Sequence, residues 1–564
     1  MISVSGKIWT ELEVNKNLVD KFKQDYGFDD VLSKLIISRN YDSSEIYGIN
    51  NTQKLTNIFK DDKDFQKASL ILINSINKNE NICVLGDYDV DGTCATSLLI
   101  RYFNHINQKH FFYIPDRVED GYGASKKLFQ KLIIKKPKLI IMVDCGSTSN
   151  EAINYLNYNN IKSIIIDHHE IKKPYPKSNV IINPKKELIK KEHSLLCATA
   201  LTYFFIEIMV KKTKSNFELS NFLIYVLLAT VCDVMPLRKI NKIIALTTLN
   251  KFNIRKNIAL NHILKKYDLK KKLTIDDLGF LIGPIINSGG RLNKSNYGVE
   301  LLSTNDLDII KDRTEKLIHL NNKRKIIEQN ILDKIDFKKI KDENKDVIIY
   351  CRNDLNEGLI GIIASRLKDY FNKPSIVITK SNKKYKASAR STSSYNIGNL
   401  IKSLIDNNII DSGGGHNMAA GFTIKKDNIK LLDNFIQKDF IKKISNKKNL
   451  NKYDLEISSS AIKNRFINNI NKLGPFGNFN FLPIFLIRNL KVIKFNVIKN
   501  KHISVIMKPD IGASIKAICF NCLNTKIGHY LSSYKKKINI IAQIHENIWN
   551  NKKTIQLNIK DLIL

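Results

Sequence analysis

Four short stretches of this sequence place carboxylates and imidazoles where they could hold cations. Gly86-Asp-Tyr-Asp-Val-Asp-Gly92 carries Asp87, Asp89 and Asp91 within five residues. Asp144 stands after one apolar run, Asp167-His168-His169 after another, and Asp233 after a third. Three carboxylates this close repel one another unless cations lie between them. Hard carboxylate oxygens joined by one or two imidazoles suit Mn²⁺ or Mg²⁺. A lone aspartate in such a place is ordinarily a helix N-cap, and adjacent histidines could be an exposed pair. Those readings do not explain the set, because the histidines follow an all-apolar run with no turn between.

The elements that must carry these residues are apolar runs of strand length. Ile82–Gly86, Leu139–Val143 and Ser163–Ile166 are short, unbroken and rich in β-branched residues, with helical stretches between them. That pattern predicts buried parallel strands of an α/β sheet. With 222–231 counted as a fourth such segment, all the acidic residues emerge at one carboxyl edge, where α/β proteins place ligands. A second α/β unit is expected from strands Val347–Tyr350 and Ser375–Ile378. Near the end of the chain, Ile503/Val505/Met507, Ile515/Ala517/Cys519 and Ile555/Leu557/Ile559 alternate with other residues, predicting a small antiparallel barrel with a turn at Asn550-Asn551. The expected division is an N-terminal extension (1–47), an α/β domain with the metal site (48–245), a helical connector (246–335), a smaller α/β domain (336–440) and a β-barrel (441–564).

Composition narrows the function class. The chain has 564 residues, 43% hydrophobic and 26% charged, ordinary for folded protein. No apolar stretch reaches the roughly 18 residues of a membrane helix. The N-terminus lacks the layout of a signal peptide, which points to the cytoplasm. Eight cysteines are scattered, and Cys519-x-x-Cys522 has no second pair to complete a zinc site. The net charge of +37 favours a polyanionic partner, although the abundance of Lys, Asn and Ile also fits an AT-rich genome. The absence of Gly-x-x-x-x-Gly-Lys-Ser/Thr argues against an ATP-driven helicase.

The ordered set Asp87-Tyr-Asp-Val-Asp91, Asp144, Asp167-His-His169 and Asp233 resembles the four motifs of the DHH phosphoesterase superfamily. Within it the chain is similar to the family of single-strand-specific 5′→3′ exodeoxyribonucleases. The similarity rests on Pro115–Gly123, Asn287-Ser-Gly-Gly-Arg-Leu292, Gly358–Arg366, Ser388-Ala-Arg390, Gly414–Gly421 and Gly474-Pro-Phe-Gly477, and it runs from about residue 48 to 564. Two features depart from that family: Leu355-Asn356 stands where Trp-His is common, and Asn287-Ser-Gly-Gly-Arg291 where Asn-Ala-Ala-Gly-Arg is usual.

The resemblance implies phosphodiester hydrolysis with two divalent ions, Mn²⁺ or Mg²⁺. It implies Asp87 and Asp89 with Asp233 at one ion, Asp91 with His168 at the other, and Asp144 between them. His169 would stay off the metals and offer a proton, with Asp167 orienting the histidines. Arg117, Arg291, Ser388 and Arg390 would grip phosphates, as would Gly414, Gly415 and His416 of a glycine-rich loop. The 336–440 segment would be the DHH-associated domain closing over the site, and the barrel an oligonucleotide-binding fold. Single-stranded DNA is the implied substrate of a monomeric enzyme, assisted by a helicase and a single-strand-binding protein. Two readings compete: a phosphodiesterase acting on short oligonucleotides or cyclic dinucleotides, and a DNA-binding scaffold with a dead metal site.

Overall fold

Buried parallel strands need both faces covered, so their sequences are apolar along most of their length. In the computed structural model, which describes all residues except 118, 122, 188–191, 270–271, 382–383, 445–449 and 550–551, three such runs form the middle of one sheet. Its order is His110–Tyr113, Ile82–Leu85, Leu139–Val143, Lys162–Ile166, Val180–Ile182, and every neighbouring pair is parallel. The strand order reverses between Ile82–Leu85 and Leu139–Val143, and the crevice at such a switch point is where α/β sheets bind ligands.

The segment 222–231 corrects the sequence expectation. It is the helix Leu223–Cys232, buried along nearly its whole length, so Asp233 caps a helix and does not leave a sheet. A helix buried on all sides shows no apolar stripe, and ten residues, apolar except Thr230, lie at the length where helix and strand read alike.

This sheet and the smaller one belong to a single compact unit, Leu55–Met235 with Ile243–Lys447. The smaller sheet runs Ser412–Gly415, Ala419–Ile424, Lys384–Arg390, Ser375–Ser381, Ile348–Cys351. Gly414 and Gly415, expected in a loop, form an exposed edge strand opposite Gly421 and Ala420. Glycine's poor strand propensity conceals this pairing from the sequence. Between the sheets, the 27-residue helix Leu307–Asp333 is the longest of the connector.

The second unit comprises Met1–Lys54, Pro236–Lys242 and Lys448–Leu564. Strands Ile484–Ile498, His502–Pro509, Ile515–Cys519, Lys552–Ile563 and Ile538–Trp549 pair in that order, and the last returns to the first, closing a five-stranded barrel. The helix Lys526–Ser533 follows the third strand. The expected turn at Asn550-Asn551 lies outside the described residues. Residues read as an N-terminal extension contribute to this unit's core: Leu32, Leu35 and Ile36 pack in one cluster with Val505 and Leu557. Strand Ile8–Glu11 pairs in parallel with Leu450–Tyr453. The buried carboxylate of Asp561 accepts hydrogen bonds from Ser3 Oγ (2.7 Å), Ser5 Oγ (2.5 Å) and Trp9 Nε1 (2.9 Å).

Pro236–Lys242 is held within this unit by two ion pairs, Lys239 with Asp42 (3.0 Å) and Arg238 with Glu45. Arg238 grips Glu45 through Nε (2.5 Å) and Nη2 (2.6 Å), and the Glu45 side chain is 2% exposed. Removing one partner of a buried bidentate pair strands the other. Glu45→Ala is therefore expected to cost about 3 kcal/mol, seen as a fall in melting temperature of roughly 6–12 °C. An unchanged melt would show the pair to be incidental. Among the described residues no helix is long and apolar enough to cross a membrane.

Candidate metal centre and adjoining arginine site

The loop after Ile82–Leu85 is shaped by close approach. A Cβ at Gly92 would lie 2.5 Å from both the backbone N and O of Asp87. Glycine there lets the helix Val90–His105 start directly against the strand end. Asp89 is its N-cap, its Oδ1 accepting from the N–H groups of Asp91 (2.9 Å) and Gly92 (3.1 Å). Asp144, one residue past its strand, has φ +61°, a left-handed conformation that aspartate tolerates better than most residues.

These carboxylates converge. Ligand atoms of Asp87, Asp89 and Asp144 lie within 4.8 Å of one another, as do those of Asp91, His168 and Asp233, and those of Asp144, His168 and His169. His168 Nε2 is 3.3 Å from Asp144 Oδ1, 3.5 Å from Asp233 Oδ2 and 3.6 Å from Asp91 Oδ2. Oδ1 of Asp87, Oδ1 of Asp144 and both ring nitrogens of His168 are buried without hydrogen-bond partners. Polar atoms buried in this way are rare and costly.

The electrostatics agree. Burial, then the charge of Asp89, pushes Asp87 up to about 8. Burial and the neighbouring aspartates raise Asp144 and Asp233 well above the carboxylate range. Burial and then His169 push His168 down to about 4, leaving the neutral imidazole a metal needs. Crowded carboxylates with a neutral imidazole and orphaned donor atoms fit hard divalent cations of the Mn²⁺ or Mg²⁺ type. When bound, such ions supply an activated nucleophile at neutral pH and neutralise charge on a phosphoryl group.

Ligand atoms of Asp233 lie with those of Asp91 and His168, and the charge of Asp89 also reaches Asp233. Asp144 and His168 each belong to two groups. Asp91 also anchors the N-terminus of the helix Ala198–Thr213. Its carboxylate accepts there from Ala198 N (2.8 Å), Thr199 N (2.7 Å) and Thr199 Oγ1 (2.6 Å).

Asp167 organises the histidine side. Its Oδ1 accepts from His168 N (2.8 Å), His169 N (3.1 Å) and His169 Nδ1 (2.8 Å), and its Oδ2 from Ser147 N (3.0 Å). Burial alone would raise Asp167, but His169 and these bonds outweigh it and hold the carboxyl well below the usual range. Burial disfavours a charged His169, yet Asp167 beside it raises its pKa to about 9. Asn183 was not anticipated. Its Nδ2 donates to Ser147 Oγ (2.8 Å) and His169 O (2.9 Å), fastening the loop from behind. It follows the strand Val180–Ile182, and three apolar residues before Asn-Pro were the only sequence signal.

Of the residues expected to grip phosphates, Arg117, Arg291 and Arg390 lie within reach of one another's charge, with Ser388 beside Arg390. Arg117 lies over the Tyr88 ring, 4.2 Å from its centroid, with Nε buried and unpartnered. Arg291 Nη1 donates to Gly358 O (3.0 Å) and Arg390 Nη1 to Ser388 Oγ (3.2 Å). Burial, then Arg117, Arg324 and Arg390, pushes Arg291 down to about 10. Half-buried guanidiniums that repel one another suit an anion. A Cβ at Gly290 would lie 2.3 Å from Tyr88 O, so glycine there allows the Arg291 helix to touch the acidic loop. His416 follows the glycine edge strand, and its ring faces that of His169 at 6.4 Å and 24°. Asn356, where histidine is common, closes a local turn by accepting from Gly358 N (2.8 Å). Val118 and Tyr122 of the Pro115–Gly123 motif lie outside the described residues.

Stability should depend on pH through these groups. Asp87, whose pKa is raised to about 8, contributes stability that is present below its unfolded value and lost as pH rises through 8. His169, raised to about 9, contributes stability that is full below its ordinary value and lost through 9. The opposing contribution of His168, lowered to about 4, is complete once pH exceeds its unfolded value of about 6.5. In chelator the melting temperature should therefore fall by several degrees between about pH 7 and 9, and Mn²⁺ should remove that slope. A slope identical with and without the ion would contradict the metal centre.

Comparison with known proteins agrees with this construction. The model of the DHH family N-terminal domain matches residues 81–230, that of the DHHA1 domain residues 344–442, and that of the RecJ OB domain residues 453–561. The single-stranded-DNA-specific exonuclease RecJ of Bacillus subtilis is 25% identical over 98% of this chain and 70% of its own length. The protein of the same name from Haemophilus influenzae is 26% identical over 87% of this chain and 89% of its own. The crystal structure of RecJ in complex with Mn²⁺ from Thermus thermophilus superposes with a TM-score of 0.83, at 17% identity, over 99% of this chain and 79% of that one. With those three domains in that order and relatives aligned along nearly its whole length, the chain belongs to the RecJ family of the DHH phosphoesterase superfamily.

Proposed function

We propose that this chain is a divalent-metal-dependent exonuclease that removes mononucleotides from the 5′ end of single-stranded DNA, in recombination and repair. The observation that carries the reading is the pairing within one unit of a buried cluster of carboxylates with a half-buried cluster of arginines. The carboxylates around Asp144 await cations, and the arginines around Tyr88, between Asp87 and Asp89 in the chain, await an anion. A phosphodiester held by ions on one side and guanidiniums on the other satisfies both.

Asp87, Asp89, Asp91, Asp144, His168 and Asp233 hold the two ions, Mn²⁺ or Mg²⁺. His169, charged and fixed through Nδ1 by Asp167, delivers a proton from Nε2 to the leaving oxygen. Arg117, Arg291, Ser388 and Arg390 take the phosphates, with Gly414, Gly415 and His416 at the edge of the smaller sheet. Residues 48–245 are the phosphoesterase domain, 246–335 the connector, 336–440 the closing domain and 441–564 the strand-binding barrel. Residues 1–47, expected as an extension, share the barrel's core. The enzyme works as a cytoplasmic monomer on strands presented by a helicase and a single-strand-binding protein.

The test compares 5′-labelled and 3′-labelled single strands with Mn²⁺, Mg²⁺ or chelator. Labelled mononucleotide should appear at once from the 5′ label only, and chelator should stop it. Attack from the 3′ end, or cleavage in chelator, would reject the reading.

A further inference from the structure

The segment that leads into the barrel holds two phenylalanines that the fold does not use for packing. Between them Asn480 is fully buried, its Nδ2 donating to Leu473 O (2.9 Å) and Pro475 O (3.0 Å) while its Oδ1 accepts from Tyr41 Oη (2.6 Å). Phe479 and Phe481, on either side of this anchor, are 64% and 62% exposed. Neither ring stacks on another aromatic among the described residues. Phe479 has φ +57°, a left-handed conformation that glycine adopts without strain and a residue with a Cβ does not. A strained backbone and two apolar surfaces presented to solvent have no explanation in packing, and such outliers concentrate where a ligand is engaged.

The surroundings identify the ligand class. Residues 448–564 carry nineteen Lys and Arg against five Asp and Glu, whereas the whole chain has 91 against 54. This segment therefore exceeds the general basic bias, chiefly by lacking acids. Arg39 Nη1 donates to Phe481 O (2.7 Å) and its Nη2 to Asp454 (3.2 Å), so this guanidinium braces the loop and is itself matched by a carboxylate. Exposed aromatics in a segment rich in cations and poor in acids are the elements of single-strand recognition, because every base has a face to stack and every nucleotide a phosphate to neutralise. The two residues are neighbours but one, so their Cα atoms are at most about 7 Å apart.

We propose that Phe479 and Phe481 form a stacking platform for bases of single-stranded DNA. This deepens the proposed function and rests on it for the substrate class. The experiment measures binding of a fluorescent oligothymidylate to the full chain in chelator, where nothing is cut. Phe479→Gly and Phe481→Ala should each weaken binding roughly 5–150-fold, the range of one lost stacked base, and Phe481→Trp should retain it. The Phe479→Gly variant should melt no lower than the parent, because the backbone strain is relieved. Unchanged affinity in both variants, with a parent that binds, overturns the platform and leaves the surface to a protein partner. A parent that does not bind single strands overturns the platform and the proposed substrate together.

Discussion

Asp144→Asn should lower kcat about 10³-fold or more while leaving single-strand affinity in chelator within about twofold. The size follows from several kilocalories per mole of charge stabilisation that such ions supply, each 1.4 kcal/mol being about tenfold in rate. Asp144 shares ligand groups with Asp87 and Asp89 on one side and with His168 and His169 on the other, so losing its charge affects both. Asparagine is the informative substitution, because it also tolerates the left-handed backbone at this position. It removes one of several mutually repelling buried carboxylates, so in chelator the variant should melt no lower than the parent. Titration with Mn²⁺ should show weakened binding. Near-normal cleavage would end the case for Asp144 as the shared ligand.

His169→Ala should cost about 10²–10⁴-fold in kcat, the usual contribution of a positioned proton donor, with little change in KM. The diagnostic variant is Asp167→Asn. A proton donor works only while protonated, so activity is lost as pH rises through its pKa. In the parent that limb should lie near pH 9, where Asp167 holds His169. Without the carboxylate, His169 returns towards its ordinary value of about 6.5, and the basic limb should move down by roughly two pH units. A limb that stays in place would assign it to another group. Melting curves of both variants separate this electrostatic effect from damage to the loop, since Asp167 also receives the backbone N–H groups of Ser147, His168 and His169.

Parallel strands covered on both faces are apolar along most of their length, so Ile82–Leu85, Leu139–Val143 and the Ile164–Ile166 part of Lys162–Ile166 were legible directly, and so were the acidic residues released at their ends. The alternation that marks a half-buried sheet likewise exposed His502–Pro509, Ile515–Cys519 and Lys552–Ile563. Those signals are local, carried by residues two to five positions apart. The rest depended on contacts across the chain. Leu223–Cys232 is a helix because it is enclosed, and enclosure removes the periodicity that would have announced it. The pairing of Ser412–Gly415 with Ala419–Ile424 is made by backbone hydrogen bonds, and glycines carry no side chain to signal it. Ile8–Glu11 finds Leu450–Tyr453, and Asp91 finds the first turn of Ala198–Thr213. Composition thus determined which residues could hold cations and which runs could be strands. Tertiary packing alone decided which aspartates share a group and which anchor a helix, because those choices depend on distances between residues that no sequence spacing encodes.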